Sequence, residues 1–193
     1  MGRGRRPAAT GCGVIFQRTA LEGAFVLEPE RLSDERGFFA RTWCAREAER
    51  HGLDPRVVQC STSYNTTKGT LRGMHFQAAP HEEAKLVRCT RGAVYDVIID
   101  LRPSSPTFTR HVAVMLSAEN GRAIYVPEGF AHGFQTLEDD SEVLYQMSTF
   151  YVPSHSRGVR WNDPAFGIAW PPGERIITDR DRSYPDFTGL SPT

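Results

Sequence analysis

Hydrophobic and polar residues alternate with a period of two along much of the chain. The run AVYDVIIDLR (93–102) places Tyr95, Val97, Ile99 and Leu101 on one face and Val94, Asp96, Ile98 and Asp100 on the other. Other runs with this alternation, and short apolar runs bounded by turn residues, predict further strands. These runs are GAFVLEP (23–29), GTLRGMHFQ (69–77), KLVRCT (85–90), TRHVAVMLS (109–117), RAIYVP (122–127), HGFQTLE (132–138) and SEVLYQMSTFYVP (141–153).

Only one segment is convincingly helical. It is CAREAERHG (44–52), which follows SDERGFFARTW (33–43) and which Gly52 could close. The end of the chain, PPGERIITDRDRSYPDF, is polar and irregular and either wraps back onto the fold or frays. Helices are too few for repeated βαβ units, so many short strands and one helix predict an antiparallel sandwich or jelly roll.

Length and charge narrow the class of protein. A chain of 193 residues with 39% hydrophobic content can form one domain with a sizeable core. We expect a flexible basic tail over 1–22, one domain over 23–187 and a short tail over 188–193. The formal net charge is zero, which argues against a mainly electrostatic nucleic-acid or membrane partner. No apolar run approaches the roughly 20 residues of a membrane span.

The cysteines and the N-terminus predict a cytoplasmic protein. The segment MGRGRRPAATGCG lacks the apolar region of a secretory signal. The four cysteines show no CxxC pair and no ligand-like spacing, which favours reduced thiols. Cys60 and Cys89 lie in apolar runs and are expected to be small core residues.

A metal site is the weaker interpretation of the histidines. The segment PEGFAH places His132 at a strand start after a tight turn, as in metal-binding β-helix proteins, where a His-x-His pair joins such a histidine. Here the earlier strand has His75 followed by Phe76 and Gln77, so the second imidazole is absent. Catalytic zinc usually has three protein ligands, and we therefore expect no metal.

Acid–base chemistry is the stronger interpretation. His75 has Arg72 three residues before it, and a bulge at Gly73 could turn both side chains inward. With Lys85, an imidazole, a guanidinium and an ammonium would suit an anionic substrate whose carbonyl must be polarised. A tyrosine could return the proton, but spacing alone does not choose Tyr145 over Tyr95, Tyr125 or Tyr151.

Several ordered motifs resemble one enzyme family. They are SDERGFF, GTLRGMHFQ, AKLVRC, SPTF, LSAEN, VPEGFAHGFQTLED, EVLY and RWNDP. Together they resemble dTDP-4-dehydrorhamnose 3,5-epimerase and its relatives from about Gly23 to about Phe187. The resemblance implies an all-β, cupin-like jelly roll (a double-stranded β-helix) with a short N-terminal helix and an irregular C-terminal segment. It also implies a homodimer that uses no metal and no cofactor.

The resemblance assigns roles to individual residues. It implies that His75 is the base, oriented by Asp181, and that Tyr145 is the acid. It places Lys85 beside the developing enolate oxygen. The residues it implies around the substrate are Arg36, Arg72, Gln59, Ser61 and His132. It puts His132 near the base, with Asp96 as a partner.

The expected reaction is epimerisation of a nucleoside-diphosphate 4-keto-6-deoxyhexose, with dTDP as the expected nucleotide. The alternatives are a 3,4-ketoisomerase on the same fold and a non-catalytic sugar-nucleotide-binding cupin. The chain departs from many family members at Arg41, Ser61, Gln146 and the segment SHSRG (154–158). These departures leave open the sugar, the nucleotide and whether C3, C5 or both are inverted.

Overall fold

Two antiparallel β-sheets dominate the computed structural model, which describes residues 12–189. The strands are β1 (Val14–Arg18), β2 (Phe25–Pro29), β3 (Arg31–Asp34), β4 (Gly37–Ala40), β5 (Gln59–Asn65), β6 (Leu71–Gln77), β7 (Lys85–Arg91), β8 (Ala93–Asp100), β9 (His111–Ser117), β10 (Ala123–Val126), β11 (Phe130–Thr136), β12 (Ser141–Met147) and β13 (Ser156–Gly158). The helices are α1 (Ala45–Arg50), α2 (Asp179–Arg182) and a 3₁₀ turn at Pro153–His155.

The sheets pack face to face as a jelly roll, as predicted. The first sheet has the order β1-β2-β10-β7-β12-β5 and the second β13-β6-β11-β8-β9. Inward side chains of both sheets form one core, to which Val87, Ile124 and Val143 belong from the first sheet and Ile98 and Phe134 from the second. Burial of such side chains is the main force that holds the sheets together.

Strand β8 has the two faces that its sequence predicts. Val94 and Ile98 join the core between the sheets. Val97 and Ile99 face the other way and are buried under the C-terminal segment, where Phe166 packs against them. The C-terminal segment therefore wraps back onto the outer face of the second sheet. It also contains the short helix α2, which its polar sequence did not predict.

The N-terminal boundary differs from the prediction. The prediction of a flexible tail over 1–22 is wrong for its second part, because β1 (Val14–Arg18) pairs along its whole length with β2. Val14 and Phe16 lie on the same face of β1 and pack against a small core cluster, while Ile15 between them is half exposed. The remainder of the predicted tail, residues 1–11, and residues 190–193 lie outside the described part of the chain.

The segment between β2 and β5 forms a separate hairpin and a helix. Among residues 12–189, strands β3 and β4 pair only with each other, and Phe38 and Phe39 are 57% and 68% exposed. Helix α1 lies within the predicted range, and Gly52 follows its end with a φ of +73°, a conformation that glycine adopts without strain.

The cysteine predictions are half right. Cys89 is buried in the main core. Cys60 is exposed, because β5 is an edge strand whose alternate side chains face outward. No helix among residues 12–189 has the length and apolar character needed to cross a bilayer.

Candidate active site

A cavity of about 320 Å³ opens between the ends of the two sheets. Strands β5, β7 and β12 of the first sheet and β6 and β13 of the second contribute to its wall. The lining residues are Gln59, Ser61, His75, Phe76, Gln77, Glu83, Lys85, Tyr145, Met147, Tyr151, Ser156 and Arg180. Polar and titratable groups from six separate segments thus converge on one space.

His75 and Asp181 form a hydrogen-bonded pair at this cavity. Nε2 of His75 lies 2.7 Å from Oδ1 of Asp181, which is 106 positions further along the chain. The Asp181 side chain is only 5% exposed, and its Oδ2 accepts a hydrogen bond from the Gly73 amide at 3.3 Å. The hydroxyl of Thr178 caps α2 by accepting from the Asp181 amide, which fixes where the carboxylate points.

The electrostatics of the pair favour an ionised Asp181. Burial by itself would raise the pKa of this carboxyl, but the hydrogen bonds from His75 and from the Gly73 amide outweigh it and leave the pKa lowered. A carboxylate on one ring nitrogen holds the proton of the imidazole there and leaves the other nitrogen basic. Within residues 12–189, Nδ1 of His75 makes no hydrogen bond, and it is therefore available to accept a proton.

The bulge predicted at Gly73 is present. His75 pairs with His132 on β11, whereas Arg72 pairs with Phe134, so three steps along β6 match two along β11. Since directly paired residues share a face, Arg72 and His75 both point toward the inside of the fold. Glycine is needed here, because a Cβ on Gly73 would lie 2.6 Å from the Cα of Gly133.

Arg72 nevertheless does not line the cavity. Its Nε donates to Oδ1 of Asn65, the last residue of β5, at 2.7 Å, and the residue is exposed. The bulge prediction is thus confirmed, while the expectation that Arg72 and His75 share one cavity wall is not met.

Lys85 reaches the cavity beside a carboxylate. Its Nζ lies 3.0 Å from Oε1 of Glu83, and both side chains are about nine-tenths buried, with 11% and 9% exposure. Gln77 is tied down next to them: its amide nitrogen donates to two backbone carbonyls and to Glu83, and its oxygen accepts from the Val152 amide at 2.6 Å.

Tyr145 is placed on the opposite sheet from His75. Burial raises the pKa of its phenol, and the nearby Asp96 raises it further, while Arg72 and Ser63 lower it only in part. A phenol in this state keeps its proton until a strongly basic carbon forms next to it. Of the four tyrosines that the sequence left open, Tyr145 and Tyr151 line the cavity, whereas Tyr95 and Tyr125 do not.

His132 lies behind Tyr145 rather than at the cavity. Its Nε2 is 2.8 Å from Oδ2 of Asp96, as expected, and its ring meets that of Tyr145 edge to face at 5.9 Å. Both members of the pair are buried, and burial raises the pKa of Asp96. The role expected for His132 at the substrate stays a prediction, and strand pairing places His132 directly opposite His75.

Arg36 is also away from the cavity. It lies in the turn of the β3–β4 hairpin, where its side chain is 84% exposed and pairs with Asp34. Gln59 and Ser61, in contrast, line the cavity as predicted. No group of three or more His, Cys, Asp or Glu side chains suited to a metal occurs in the described part of the chain.

Sequence reasoning missed two charged residues of the wall. Arg180 precedes Asp181 on α2 and donates to the Tyr184 hydroxyl and the Ser156 hydroxyl. Glu83 lies two residues before Lys85, a spacing that places both on one face of an extended segment. Arg180 and Glu83 could have been found in the sequence because each lies one or two positions from a predicted site residue.

Comparison with known proteins finds one enzyme family. The family model for dTDP-4-dehydrorhamnose 3,5-epimerase matches residues 18–189. The enzyme of that name from Sinorhizobium fredii is 39% identical over 178 residues, 92% of this chain and 91% of its own length.

Solved structures show the same likeness. The Bacillus anthracis dTDP-4-dehydrorhamnose 3,5-epimerase, solved with TDP and pyrophosphate bound, superposes with a TM-score of 0.87 at 40% identity and covers 91% of this chain and 100% of that one. A 3'-monoepimerase from Streptomyces bikiniensis, in complex with dTDP-quinovose, gives a TM-score of 0.81 at 35% identity over 88% of this chain and 86% of that one.

Fold and site together define a cupin-like, jelly-roll isomerase. The chain belongs to the dTDP-4-dehydrorhamnose 3,5-epimerase family, whose model spans nearly all of the described residues.

Proposed function

We propose that the protein epimerises a nucleoside-diphosphate 4-keto-6-deoxyhexose at C3, C5 or both, with dTDP as the nucleotide. The observation that carries this proposal is the His75–Asp181 pair in the wall of a cavity that also contains Lys85 and Tyr145. Relatives named for this reaction, and structures solved with dTDP-linked sugars, support the substrate class.

The proposed reaction has two proton transfers. Nδ1 of His75 takes the proton from the carbon next to the ketone, and the electron pair moves onto the ketone oxygen as an enolate. The Lys85 ammonium stabilises that oxygen, because a fixed cation in a largely dry cavity acts strongly on developing charge. Tyr145 then donates its proton to the opposite face of the same carbon, which inverts the configuration.

The charge distribution supports this assignment of base and acid. Asp181, with its lowered pKa, stays ionised and stabilises the imidazolium that forms on His75. Tyr145, with its raised pKa, is protonated before the reaction and gives up its proton only to a carbanion. His75 and Tyr145 come from different sheets, so they can approach the sugar ring from its two faces.

Other residues of the wall would bind the nucleotide sugar. Arg180 can pair with a phosphate, and Tyr151, which is 51% exposed, can stack on the base. Gln59 and Ser61 can hydrogen-bond the sugar. Arg72 is exposed, so a phosphate could reach its guanidinium.

Solvent deuterium incorporation tests the proposal. The protein is incubated in D₂O with a panel of nucleotide 4-ketosugars, and the products are read by NMR. An epimerase labels C3, C5 or both and keeps the 4-ketone. A new regioisomer would indicate a 3,4-ketoisomerase instead, and the absence of label with every sugar would leave a binding protein.

His75→Ala is the matching variant. It should lose exchange at every ring position while keeping its thermal unfolding transition. His111→Ala, on the edge strand β9, removes an imidazole from another part of the fold and should exchange normally. Normal exchange in His75→Ala would end the proposal.

We further propose a homodimer formed through the β3–β4 hairpin. Three large apolar side chains on this hairpin, Leu32, Phe38 and Phe39, are at least half exposed, and such clusters mark interaction sites. Arg36 at the tip would then bind substrate in the partner's cavity.

Sedimentation and complementation test the dimer. Phe38→Ser/Phe39→Ser should sediment as a monomer, whereas Met115→Ser, which changes a side chain that is 57% exposed on β9, should not. Mixed dimers of inactive His75→Ala and Arg36→Ala chains should regain activity if Arg36 acts across the interface, and should stay inactive if it does not.

The proposed enzyme needs no metal or other cofactor and works in the cytoplasm. The enolate chemistry is complete with His75, Lys85 and Tyr145, and all four cysteines are free thiols. Full activity after exhaustive chelation is the expected result. Activity that EDTA removes and one divalent metal restores would refute this part of the proposal.

A further inference from the structure

A second carboxylate faces the cavity, and the proposed proton transfers do not use it. Glu83 lies in the cavity wall with a side chain that is only 9% exposed. Buried carboxylates are rare unless they are paired, and this one is paired with Lys85 at 3.0 Å. A side chain that only filled space here would be apolar, so we expect the carboxylate of Glu83 to have a chemical role.

The carboxylate of Glu83 is held at both oxygens. Oε1 accepts from Lys85, and Oε2 accepts from the amide nitrogen of Gln77 at 3.3 Å. Gln77 is itself fixed by the carbonyls of His81 and Phe150. An ionised carboxylate has about four acceptor positions, so roughly two remain for a donor that enters the cavity.

Lys85 also keeps free capacity. Its ammonium has three N–H donors, and the Glu83 bond uses one of them. The cavity therefore presents a donor and an acceptor side by side, one hydrogen-bond length apart. That pair is complementary to a ketone and a hydroxyl on neighbouring carbon atoms.

We propose that Glu83 accepts a hydrogen bond from the hydroxyl on the carbon next to the substrate ketone, and so selects ketosugars that carry this hydroxyl. The inference rests on the proposed function, in which Lys85 contacts the ketone oxygen. In a 4-keto-6-deoxyhexose the only hydroxyl next to the ketone is on C3, because C5 carries the ring oxygen and the methyl group. Glu83 is thus a specificity residue for C3.

The charges of the cavity agree with this placement. Glu83 offsets the charge of Lys85, so this well-buried pair suits a neutral sugar better than a phosphate. Arg180 is exposed and bonds only hydroxyl groups among the described residues, which leaves its charge available to the diphosphate.

The test compares two substrates, the 4-keto-6-deoxyhexose nucleotide and its 3-deoxy analogue. Both have protons on C3 and C5, the carbons next to the ketone, so deuterium exchange at either carbon measures kcat/KM for each. The wild-type protein should prefer the hydroxylated sugar about 10- to 100-fold, the usual worth of a hydrogen bond to a charged group. Glu83→Ala should reduce that preference to about one.

The ratio of kcat/KM for the two sugars distinguishes a direct contact of Glu83 with the hydroxyl from an effect through Lys85. An effect that acts only through Lys85 would slow both substrates equally and leave the ratio unchanged, which would overturn the inference. Glu83→Gln provides a second variant of nearly the same shape and should keep part of the preference. Glu82→Gln is the matched control, because Glu82 carries the same charge one residue away and lines a groove outside the cavity.

The remaining outcomes are also decisive. Wild-type exchange with both sugars at equal kcat/KM would refute the role of Glu83 and retain the proposed function. No exchange at C3 or at C5 with either sugar would refute the proposed function, and the inference with it.

Discussion

At the residue scale, the proposed chemistry depends on which proton each side chain holds. Tyr145 and His75 face one cavity from two sheets, and burial and the nearby Asp96 raise the pKa of the Tyr145 phenol. Removal of the Tyr145 hydroxyl should therefore change the kinetics in a different way from removal of the His75 imidazole, although either change stops inversion.

Tyr145→Phe should separate enolate formation from inversion. The variant lacks only the hydroxyl, so His75 can still form the enolate and Lys85 can still stabilise it. Substrate protons should exchange for deuterium, while inverted product should fall on the order of 10²- to 10⁴-fold, the usual worth of a positioned proton donor. NMR measures both quantities in one reaction.

Tyr95→Phe is the control for this variant, because Tyr95 packs against Trp170 on the outer face of the second sheet. Equal losses of exchange and inversion in Tyr145→Phe would show that the phenol is needed to form the enolate or bind the sugar. Unchanged inversion would transfer the acid role to Tyr151 or to water.

Asp181→Asn should slow proton abstraction without weakening binding. An amide cannot stabilise the imidazolium and can favour the wrong tautomer of His75, so kcat should fall on the order of 10²-fold or more while KM changes little. Asp179→Asn removes the same charge from an exposed position on α2 and serves as control. A rise in KM with unchanged kcat would count against the positioning role.

The residue scale is also where sequence reasoning stopped short. The types and order of His75, Lys85, Tyr145 and Asp181 were enough to identify them by resemblance. Burial was not readable from the sequence, which did not show that the His132 ring is buried beside Tyr145. Glu83 was missed because a pair of adjacent glutamates in a loop before a strand normally indicates a solvated surface.

At the scale of elements, the contact between β6 and β11 controls the direction of His75. The two strands approach so closely that both carry a glycine. A Cβ on Gly133 would lie 2.6 Å from Sδ of Met74 and 2.7 Å from the Arg72 carbonyl oxygen. The orientation of the His75 side chain toward the cavity therefore depends on Gly73 and Gly133, which have no side chain.

Gly133→Ala should disturb both stability and activity. Overpacking of this kind costs about 1–3 kcal/mol, and any relief by strand separation would move His75. Chemical denaturation and C5 exchange measure the two effects. Gly13→Ala, whose new Cβ would meet its nearest atom at an ordinary 3.5 Å, should change neither. A fully active and stable Gly133→Ala would show that the strands can move apart freely.

Elements were predictable where the hydrophobic period was clear. The faces of β8 and the existence of α1 follow from local pattern, and both are present. The hairpin β3–β4 was read as a lead into the helix, because its exposed phenylalanines do not alternate as a half-buried strand does. Helix α2 has only four residues, too few for a helical period to appear.

At the scale of the whole molecule, one buried carboxylate ties the end of β8 to the loop that follows it. Asp100 is fully buried and accepts hydrogen bonds from Arg102, Ser105 and Thr107. Burial would raise the pKa of Asp100, but these bonds outweigh it and lower the pKa to about 2.

Asp100 should make the stability of the protein depend on acid pH. Because the folded pKa lies below the unfolded value of 3.8, its contribution is complete above about pH 4 and is lost as the pH falls toward 2. Asp100→Asn should lower the free energy of unfolding near pH 7 by on the order of 2 kcal/mol. Urea titrations at several pH values should show the difference from wild type shrinking toward pH 2, and a difference independent of pH would contradict the assignment.

The separation of 106 positions between His75 and Asp181 has a consequence for the life of the polypeptide. Both sheets are complete by residue 158, but the carboxylate arrives on a later segment that folds over the outside of the second sheet. A nascent chain, or one nicked by a protease before α2, can thus possess the whole jelly roll and still have an unoriented imidazole. By the proposed mechanism, catalytic competence is therefore acquired only after Asp181 has been synthesised, and it is lost in any fragment that lacks α2.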